Sequence, residues 1–247
     1  MRLASERRQV APTGKVRFDT PMTTIDPTKP DEIRGAIRDM RRSYGEIGLV
    51  EVDPDPIRQF TQWLSEAATN PMIVEANAMV LTTSPGFVGA QLSTRTVLLK
   101  DVGESGFSFF SNYGSRKADE IAENPQVSLL FPWFAMERQI SIQGVASKLS
   151  AAESDDYFAT RPWGSQIGAW ASTQSEELAM RSDLESSYAN FAAQYPEGQP
   201  VPRPPHWGGY VVRPSTIELW QGRYSRLHDR VRYIATNDGW AIKRFYP

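Results

Sequence analysis

The stretch "QVSLLFPWFAMERQISIQGVASKL", residues 126–149, contains two short segments that are rich in β-branched and aromatic residues. Segments of this composition are typical of β-strands. The same pattern starts near residue 76 and returns after about residue 207, with Gly, Pro, Asn or Ser between the segments. Roughly eight strands are therefore predicted, and "TNDG", residues 236–239, predicts a hairpin turn between the last two.

Helices are predicted between these strands. Asp55 as N-cap and Pro56 at the first helical position begin one helix, and the capping box Ser150-Ala-Ala-Glu153 begins another. A further helix is predicted over about 175–194. The predicted fold class is mainly β with helices (α+β), an antiparallel barrel decorated by helices.

Composition limits the classes of function. The chain has 247 residues, a net charge of −2, no cysteine and two histidines. Such a chain lacks the overall positive field that holds nucleic acid or an anionic membrane, and it excludes disulfides and cysteine-bound metals. No metal site is predicted, and without an apolar run of membrane-spanning length we expect a cytoplasmic protein. Residues 1–30 are predicted to be a disordered leader, and 31–247 a single domain.

A first candidate anion site is "NYGSRKADEIAENP", residues 112–125. Ser115 is a natural N-cap, so Arg116 and Lys117 fall in the first turn of the predicted helix. Cations there oppose the positive end of the helix dipole, and a phosphate held by the backbone amides and both side chains would explain them. The alternative is that both side chains point into solvent.

A second candidate is "STRTVLLK", residues 93–100, where Arg95 and Lys100 bracket an apolar run that we expect to be buried. Charges at the ends of a buried strand usually only reach water, so this segment by itself favours the ordinary structural interpretation.

A third candidate is "YFATRPWGSQIGAW", residues 157–170. Tyr157 and Arg161 are four apart, on one face of the predicted helix, and Ser165 follows in a predicted turn after Pro162. These groups could hold a second phosphate. The alternative is an arginine lying over a tyrosine ring on the surface.

The fourth candidate is "WQGRYSRLHDRVRY", residues 220–233. In a strand, Arg226, His228 and Arg230 would project from one face as a cationic row, which would face either water or a bound anion. A structural histidine is the alternative for His228. Cations spread over four elements of an acidic chain fit a small phosphate-bearing ligand better than a polymer.

These motifs resemble the pyridoxamine 5′-phosphate oxidase family from about residue 38 to the C-terminus. The resemblance is carried by "EANAMVL", "RTVLLK", "GSRKADEI", "ERQISIQG", "YFATRPWGSQIGAWAS", "HWGGYVV", "ELWQG" and "RLHDR". It implies an FMN-binding split barrel that forms a homodimer, with FMN sites at the subunit interface. It also implies oxidation of pyridoxine or pyridoxamine 5′-phosphate by O2 to pyridoxal 5′-phosphate, with release of H2O2 and, from the amine, ammonia.

The resemblance also implies roles for particular residues. FMN contacts would map onto Arg95, Thr96, Val97, Leu98, Leu99, Lys100, Phe110, Ser111, Arg116, Lys117 and Gln139, completed by Gln174, Ser175, Trp220 and Arg230 from the partner subunit. Substrate contacts would map onto Lys100, Tyr157, Arg161, Ser165, Arg226, Leu227 and His228, and onto the closing segment Arg41, Arg42, Ser43 and Tyr44. Arg226 and His228 are the predicted catalytic residues.

The chain departs from the family pattern at three positions. Ser43 stands where a glutamate is usual, Phe110 where a tyrosine is frequent, and Glu75 where an aspartate is often found. None of these changes removes a predicted phosphate contact. Two alternatives remain open at this point: a related split-barrel FMN oxidoreductase with another substrate, and a non-catalytic protein that binds FMN or pyridoxal phosphate.

Overall fold

The computed structural model describes residues 29–39 and 43–247, which fall in two units that divide between residues 42 and 43. The described part of the first unit is the helix α1 (Pro30–Asp39). Asp31 lies inside its first turn, where it pairs with Arg34 at 2.8 Å. The predicted leader lies almost entirely outside the described residues, so the proposed domain boundary stays a prediction.

The second unit contains one antiparallel sheet. Its strands are β1 (Ala78–Thr83), β2 (Ser93–Leu98), β3 (Asp101–Gly103), β4 (Gly106–Asn112), β5 (Gln126–Trp133), β6 (Arg138–Lys148), β7 (Trp207–Gln221), β8 (Asp229–Thr236) and β9 (Gly239–Phe245). They run in the order β2-β1-β5-β6-β7-β4-β3, with β8 on β7 and β9 on β8. The predicted antiparallel α+β architecture is confirmed, with nine strands rather than eight in the described part of the chain.

The long strand β7 organises the sheet. Its first half lies between β4 and β6, and its second half lies between β6 and β8. The β6–β7 register shifts at Gly144, where a Cβ atom would come within 2.3 Å of the Arg213 carbonyl oxygen, so only glycine fits this bulge. The backbone N–H of Lys100 donates to the Ser108 carbonyl at 2.8 Å, so the chain leaving β2 reaches β4 and curls the sheet.

The core lies on one face of the strands, where alternate residues such as Leu129, Ile142 and Ile217 are fully buried. The helix α2 (Pro56–Ala68) covers part of it and inserts Phe60, whose ring meets Phe107 edge-on at 4.9 Å. Burying such a ring contributes about 1.5–3 kcal/mol. The core therefore covers one face of the strands and leaves the other face free to carry polar groups.

Several helix predictions are confirmed. Asp55 caps α2 by accepting from two backbone N–H groups, and the Ser150 capping box begins α4 (Ala151–Ala159). The α3 helix (Arg116–Glu123) follows Ser115, and "TNDG" forms the β8–β9 turn.

Two helix predictions need correction. The last helix, α6, is Arg181–Gln194 and does not begin at 175. Pro162 ends α4 but is also the N-cap of a helix that was not predicted, α5 (Trp163–Ala171), because its φ of −53° suits the start of a helix. Ser165 therefore lies in the first turn of α5 and not in an open turn.

Candidate functional site

The first group of site residues surrounds the ammonium group of Lys117. We call it the Lys117 cluster: Arg95, Ser111, Arg116, Lys117 and Gln174. Although it follows an N-cap, Lys117 is only 7% exposed, and its Nζ donates to Ser115 Oγ at 2.9 Å and to Gln174 Oε1 at 2.6 Å. Ser111 Oγ donates to the same Gln174 oxygen at 3.3 Å. The alternative that Lys117 points into solvent is therefore wrong.

The charge of Lys117 has only neutral hydrogen-bond acceptors. Burial, assisted by the nearby Arg95, lowers the pKa of Lys117 to about 8. The ion pairs of the described residues join Arg95 and Arg116 to Glu120, and none includes Lys117. The Glu120 carboxylate opposes this shift but forms no ion pair with Lys117, so a bound anion in direct contact would stabilise the charged lysine further.

Glu120 organises the two arginines of the cluster. Its side chain is 5% exposed and accepts from Arg116 Nε at 2.8 Å, while Arg95 Nη2 lies 3.5 Å away. Burial would raise the pKa of Glu120, but hydroxyls of Ser93 and Thr83 and the Arg116 guanidinium donate to it and lower the pKa to about 2. Glu120 therefore stays ionised and holds both guanidinium groups beside Lys117.

The second group is a ring stack next to the Lys117 cluster. We call it the Tyr157 stack: Phe110, Tyr157, Arg161 and Trp207. Phe110 is stacked on Tyr157 at 3.9 Å and on Trp207 at 5.3 Å. Because α4 ends at Ala159, Arg161 does not share a helix face with Tyr157. Its guanidinium lies over Trp207, 4.6 Å from the ring centroid.

Arg161 also lacks a polar partner. Its Nη1 atom is buried without a hydrogen bond, and burial lowers the pKa of the guanidinium. It is thus a second cation positioned to accept an anion. Ser165, predicted to share that role, is exposed on α5.

The predicted FMN contacts at residues 95–100 lie on the second half of β2 and just after it, and their side chains point alternately to the two faces of the sheet. Val97 packs against the core and Leu99 is buried, whereas Thr96 and Lys100 are exposed and Leu98 is partly exposed. The expected burial of the whole apolar run therefore holds only for Leu99. Alternation along the strand gives the reason.

The third group is the Trp220 cluster: Tyr44, Gln139, Trp220, His228 and Arg230. Gln139, Trp220 and Arg230 are cross-strand partners on β6, β7 and β8, so their side chains form one row. The row lies on the face away from the core, because the preceding or following residues Ile140, Leu219 and Val231 are fully buried. The His228 ring lies 4.6 Å from Trp220, and Tyr44 meets these two rings edge-on at 5.4 and 5.7 Å.

The predicted strand row of Arg226, His228 and Arg230 is wrong. β8 begins at Asp229, and Arg226 ends a short 3-10 turn in which Ser225 and Arg226 have φ angles of 55° and 64°. Two consecutive left-handed residues cannot continue an extended strand. Only Arg230 lies on the strand, where Glu218 binds its guanidinium through two oxygens at 2.9 and 3.1 Å.

The loop determines the protonation of His228. The backbone N–H of Arg223 donates to His228 Nδ1 at 3.0 Å, so the proton of the neutral ring lies on Nε2. Burial, together with the charge of Arg226, lowers the pKa of His228. At neutral pH the ring is therefore an uncharged donor through Nε2–H.

The Lys117 and Trp220 clusters lie at opposite ends of β7. On β7, Gly208 pairs with Ser111 of the first cluster. Trp220, twelve positions further along β7, pairs with Gln139 and Arg230 of the second cluster. At about 3.3 Å per residue the two ends are up to roughly 40 Å apart along the strand. The hydrogen bonds and ring contacts among the described residues do not join the clusters.

Within one protomer Gln174 bonds to Lys117 and Gln139 lies beside Trp220. Which subunit supplies each predicted FMN contact stays a prediction. Ser175 is exposed with a φ of 79°, and Leu227 is 68% exposed. Arg41 and Arg42 lie outside the described residues, and Ser43 is exposed.

Sequence reasoning missed two residues that contact these clusters. Glu120 orients the arginines, and its spacing of four from Arg116 on one helix was the signal for it. Trp207 lies under Arg161 and Phe110, but nothing local to its sequence indicates a partner 46 positions away. Two clefts, of about 450 and 370 Å³, are lined by other residues around Trp63 and around Leu184.

Comparison with known proteins identifies the family. The model of the family described as pyridoxamine 5′-phosphate oxidase matches residues 65–195, and that of the pyridoxine 5′-phosphate oxidase C-terminal dimerisation region matches 207–247. The chain belongs to the pyridoxamine 5′-phosphate oxidase family. It is therefore an enzyme, an oxidoreductase, and its dimerisation region supports a homodimer.

Individual relatives agree with this assignment. The pyridoxine/pyridoxamine 5′-phosphate oxidase of Rubrobacter xylanophilus is 51% identical over 88% of this chain and 100% of its own length. That of Streptomyces avermitilis is 47% identical over 84% of this chain and 95% of its own.

Solved structures support the same fold. PhzG from Burkholderia lata 383, in complex with tetrahydrophenazine-1-carboxylic acid, is 30% identical over 79% of this chain and 94% of its own, with a TM-score of 0.73. An FMN binding protein from Nostoc punctiforme, related to pyridoxamine 5′-phosphate oxidase, is 15% identical over 78% of this chain and 98% of its own, with a TM-score of 0.62. At this identity the likeness supports the fold alone. The predicted split barrel is confirmed. None of the helices in the described ranges is long and apolar enough to cross a membrane.

Proposed function

We propose that the enzyme oxidises pyridoxine 5′-phosphate and pyridoxamine 5′-phosphate with O2 to pyridoxal 5′-phosphate, using FMN and releasing H2O2. One observation carries the proposal: Lys117 is buried and Arg161 has a buried Nη1 atom without a hydrogen bond, and neither cation forms an ion pair among the described residues. FMN and the substrate each carry one phosphate. The two cations therefore match the two reactants.

The Lys117 cluster suits the FMN phosphate. Lys117 and the two arginines oriented by Glu120 supply the positive charge, and Ser111 and Gln174 supply hydrogen-bonding groups. The row of Gln139, Trp220 and Arg230 suits the flavin ring, since it combines an aromatic surface with polar groups.

The separation of these two clusters supports a site shared between subunits. Trp220 lies twelve positions along β7 from the residue that pairs with Ser111, and the hydrogen bonds and ring contacts among the described residues do not join the two clusters. In a homodimer the Lys117 cluster of one protomer can face the Trp220 cluster of its partner. We therefore propose two FMN sites, each built across the interface.

The substrate would lie between the same two surfaces. Arg161, with Tyr157, Lys100 and Ser165 as further donors, would hold its phosphate from the Lys117 side. His228 and Arg226, on the Trp220 side, would face its pyridine ring. Because His228 is a neutral Nε2–H donor, it would orient an oxygen or nitrogen of the ring rather than remove a proton through Nδ1.

FMN held by these residues would supply the hydride acceptor for C4′ of the substrate and the electron transfer to O2. The contribution of this chain would be positioning: two phosphate contacts fix the reacting carbon relative to the flavin. Holding two reactants in this way can supply about 7–11 kcal/mol of barrier reduction in favourable cases. With the amine, hydrolysis of the resulting imine would release ammonia.

A second candidate is a related split-barrel FMN oxidoreductase with a different anionic substrate. It is favoured by the likeness to PhzG, whose structure holds a carboxylic acid, because a carboxylate could also pair with Arg161. The presence of Tyr157, Arg161, Ser165, Arg226 and His228 favours the phosphate substrates. A non-catalytic FMN or pyridoxal phosphate binder is the third candidate.

An anaerobic titration tests the proposal. Pyridoxine 5′-phosphate added to FMN-loaded protein should bleach the flavin absorbance, and air should restore it with formation of pyridoxal 5′-phosphate and H2O2. Bleaching by another reduced substrate alone would favour the second candidate. A flavin that stays oxidised with every substrate would favour the binder, and failure to take up FMN would exclude both oxidoreductases and leave only a pyridoxal phosphate binder.

A further inference from the structure

A short segment before α2 is fastened to the Trp220 cluster. We call residues 43–50 the Tyr44 segment. The backbone N–H of Gly45 donates to Glu137 Oε2 at 2.9 Å, and the N–H of Leu49 donates to Asp229 Oδ2 at 2.9 Å. Both acceptors are side-chain carboxylates next to the cluster, since Glu137 precedes β6 and Asp229 follows His228.

The first of these contacts brings Tyr44 onto the cluster. Its ring lies against Gly222, where a Cβ atom would come within 2.9 Å of Tyr44 Cδ1, so the ring rests on bare backbone. From there its edge meets the rings of Trp220 and His228. Tyr44 thus adds a third ring to the aromatic surface that Trp220 and His228 form.

Glu137 has an unusual backbone for its residue type. Its φ and ψ angles are 57° and 33°, a left-handed conformation that glycine and asparagine adopt more easily than glutamate. Its carbonyl accepts from the Gly222 N–H at 2.7 Å and from Gln221 Nε2 at 3.2 Å. Both of these residues directly follow Trp220.

Glu137 therefore contacts both the Tyr44 segment and the backbone on which the Tyr44 ring rests. The Glu137 carbonyl holds the backbone beneath the Tyr44 ring, and the Glu137 carboxylate holds the amide that follows Tyr44. A glycine at position 137 would relieve the backbone strain but would leave the Gly45 N–H without this acceptor. The strained glutamate is explained if its carboxylate is needed.

We propose that Glu137 is a positioning residue that fixes Tyr44 over Trp220 and His228 through the Gly45 amide, and so completes the substrate-binding wall. The effect on turnover rests on the proposed function, because that function makes this wall part of the substrate site. The contact itself does not depend on the activity. The two can therefore be tested separately.

The variant Glu137→Gly removes the carboxylate while keeping an allowed backbone. In the FMN-loaded dimer we expect hydrogen exchange at the Gly45 amide to accelerate about tenfold. KM for pyridoxine 5′-phosphate should rise about fivefold with kcat within about twofold, because binding rather than the reacting geometry is weakened. Glu137→Gln keeps an oxygen acceptor and should stay within about twofold of wild type in both measurements.

A double variant shows whether Glu137 acts through Tyr44. Tyr44→Ala should raise KM by a similar factor, and adding Glu137→Gly to it should raise KM no further. Should Glu137→Gly fold poorly, Glu137→Asn serves the same purpose, since asparagine adopts this conformation and its side chain is shorter.

Two results would overturn the proposal: a Gly45 amide that stays as protected without the carboxylate as with it, or KM effects that multiply in the double variant. If the wild-type protein does not oxidise the substrate, the proposed function fails. The exchange of the Gly45 amide still decides whether Glu137 holds the segment.

Discussion

The two ends of β7 present opposite kinds of surface. At one end, the Lys117 cluster is a set of charged groups in which the lysine is buried and has no anionic partner. At the other end, the Trp220 cluster is a set of rings whose one strand-borne cation, Arg230, is already paired with Glu218. Charge is therefore available at the first end and aromatic surface at the second.

This difference indicates how one ligand could be recognised from two sides. A buried cation interacts strongly with an anion because little water screens it, so the Lys117 end should select for phosphate. A cation that is already paired adds little, so the Trp220 end should contribute ring packing that does not depend on phosphate. Riboflavin, which lacks the phosphate of FMN, separates the two contributions.

The largest effect should come from Lys117→Met, which keeps the length of the side chain and removes its charge. Loss of one partner from a buried charged contact costs about 2–5 kcal/mol, so FMN affinity should fall by roughly 30-fold to several thousand-fold. Riboflavin affinity should change little, and the protein without flavin should unfold no more easily in urea. Flavin fluorescence titration gives both affinities.

Trp220→Leu is the matched control at the other end of the strand. It should weaken FMN and riboflavin by the same factor, since the ring meets the part that the two flavins share. A fall in riboflavin affinity with Lys117→Met that equals the fall for FMN would contradict the division of roles between the clusters.

Mixed dimers test whether the clusters meet across subunits. Lys117→Met and the double variant Trp220→Ala/His228→Ala should each be nearly inactive by themselves. When the two chains are co-expressed in equal amounts, half of the dimers are mixed and each mixed dimer holds one intact site, so about a quarter of wild-type activity should return.

The control for this recovery is the mixture of Lys117→Met with Arg161→Met, two changes on the same side of the site, which can regenerate no intact site. Recovery equal to that of the first mixture would show that the sites are not shared as proposed. Activity is measured as pyridoxal 5′-phosphate formed per dimer.

The smallest effect is a dependence of FMN affinity on pH. The pKa of Lys117 without ligand is about 8, and a bound phosphate favours the charged form and raises it. Affinity should therefore be constant just below pH 8 and fall by up to about tenfold per pH unit above it, until the pKa of the complex is reached. Riboflavin and the Lys117→Met variant should show no such fall, and a flat FMN profile would contradict the role of Lys117.

The local elements of this fold could be predicted from the sequence because their signals are local. The Asp55 cap with Pro56, the Ser150 capping box and the "TNDG" turn each involve residues within four positions, and each is confirmed. The helix after Pro162 was missed because proline both ends one helix and begins the next. In the sequence, Pro162 indicates only the end of the preceding helix.

The loop that carries His228 could not be predicted in the same way. Alternation of Arg226, His228 and Arg230 favours a strand, yet Ser225 and Arg226 adopt left-handed conformations. The Tyr44 segment packs against this loop, and its contacts with Tyr224 and Asp229 come from residues about 180 positions away. Tertiary contacts of this kind override a local strand preference.

By itself, then, the sequence determined the strand-rich split barrel, the family and the residue types of the candidate site, because periodicity, caps and motifs depend on neighbouring positions. Tertiary structure alone decided that Lys117 is buried, that Gln174 bonds to it, and that Gln139 lies beside Trp220. Burial and charge pairing depend on which distant strands become neighbours. The spacing of residues along the chain does not indicate which distant strands will become neighbours.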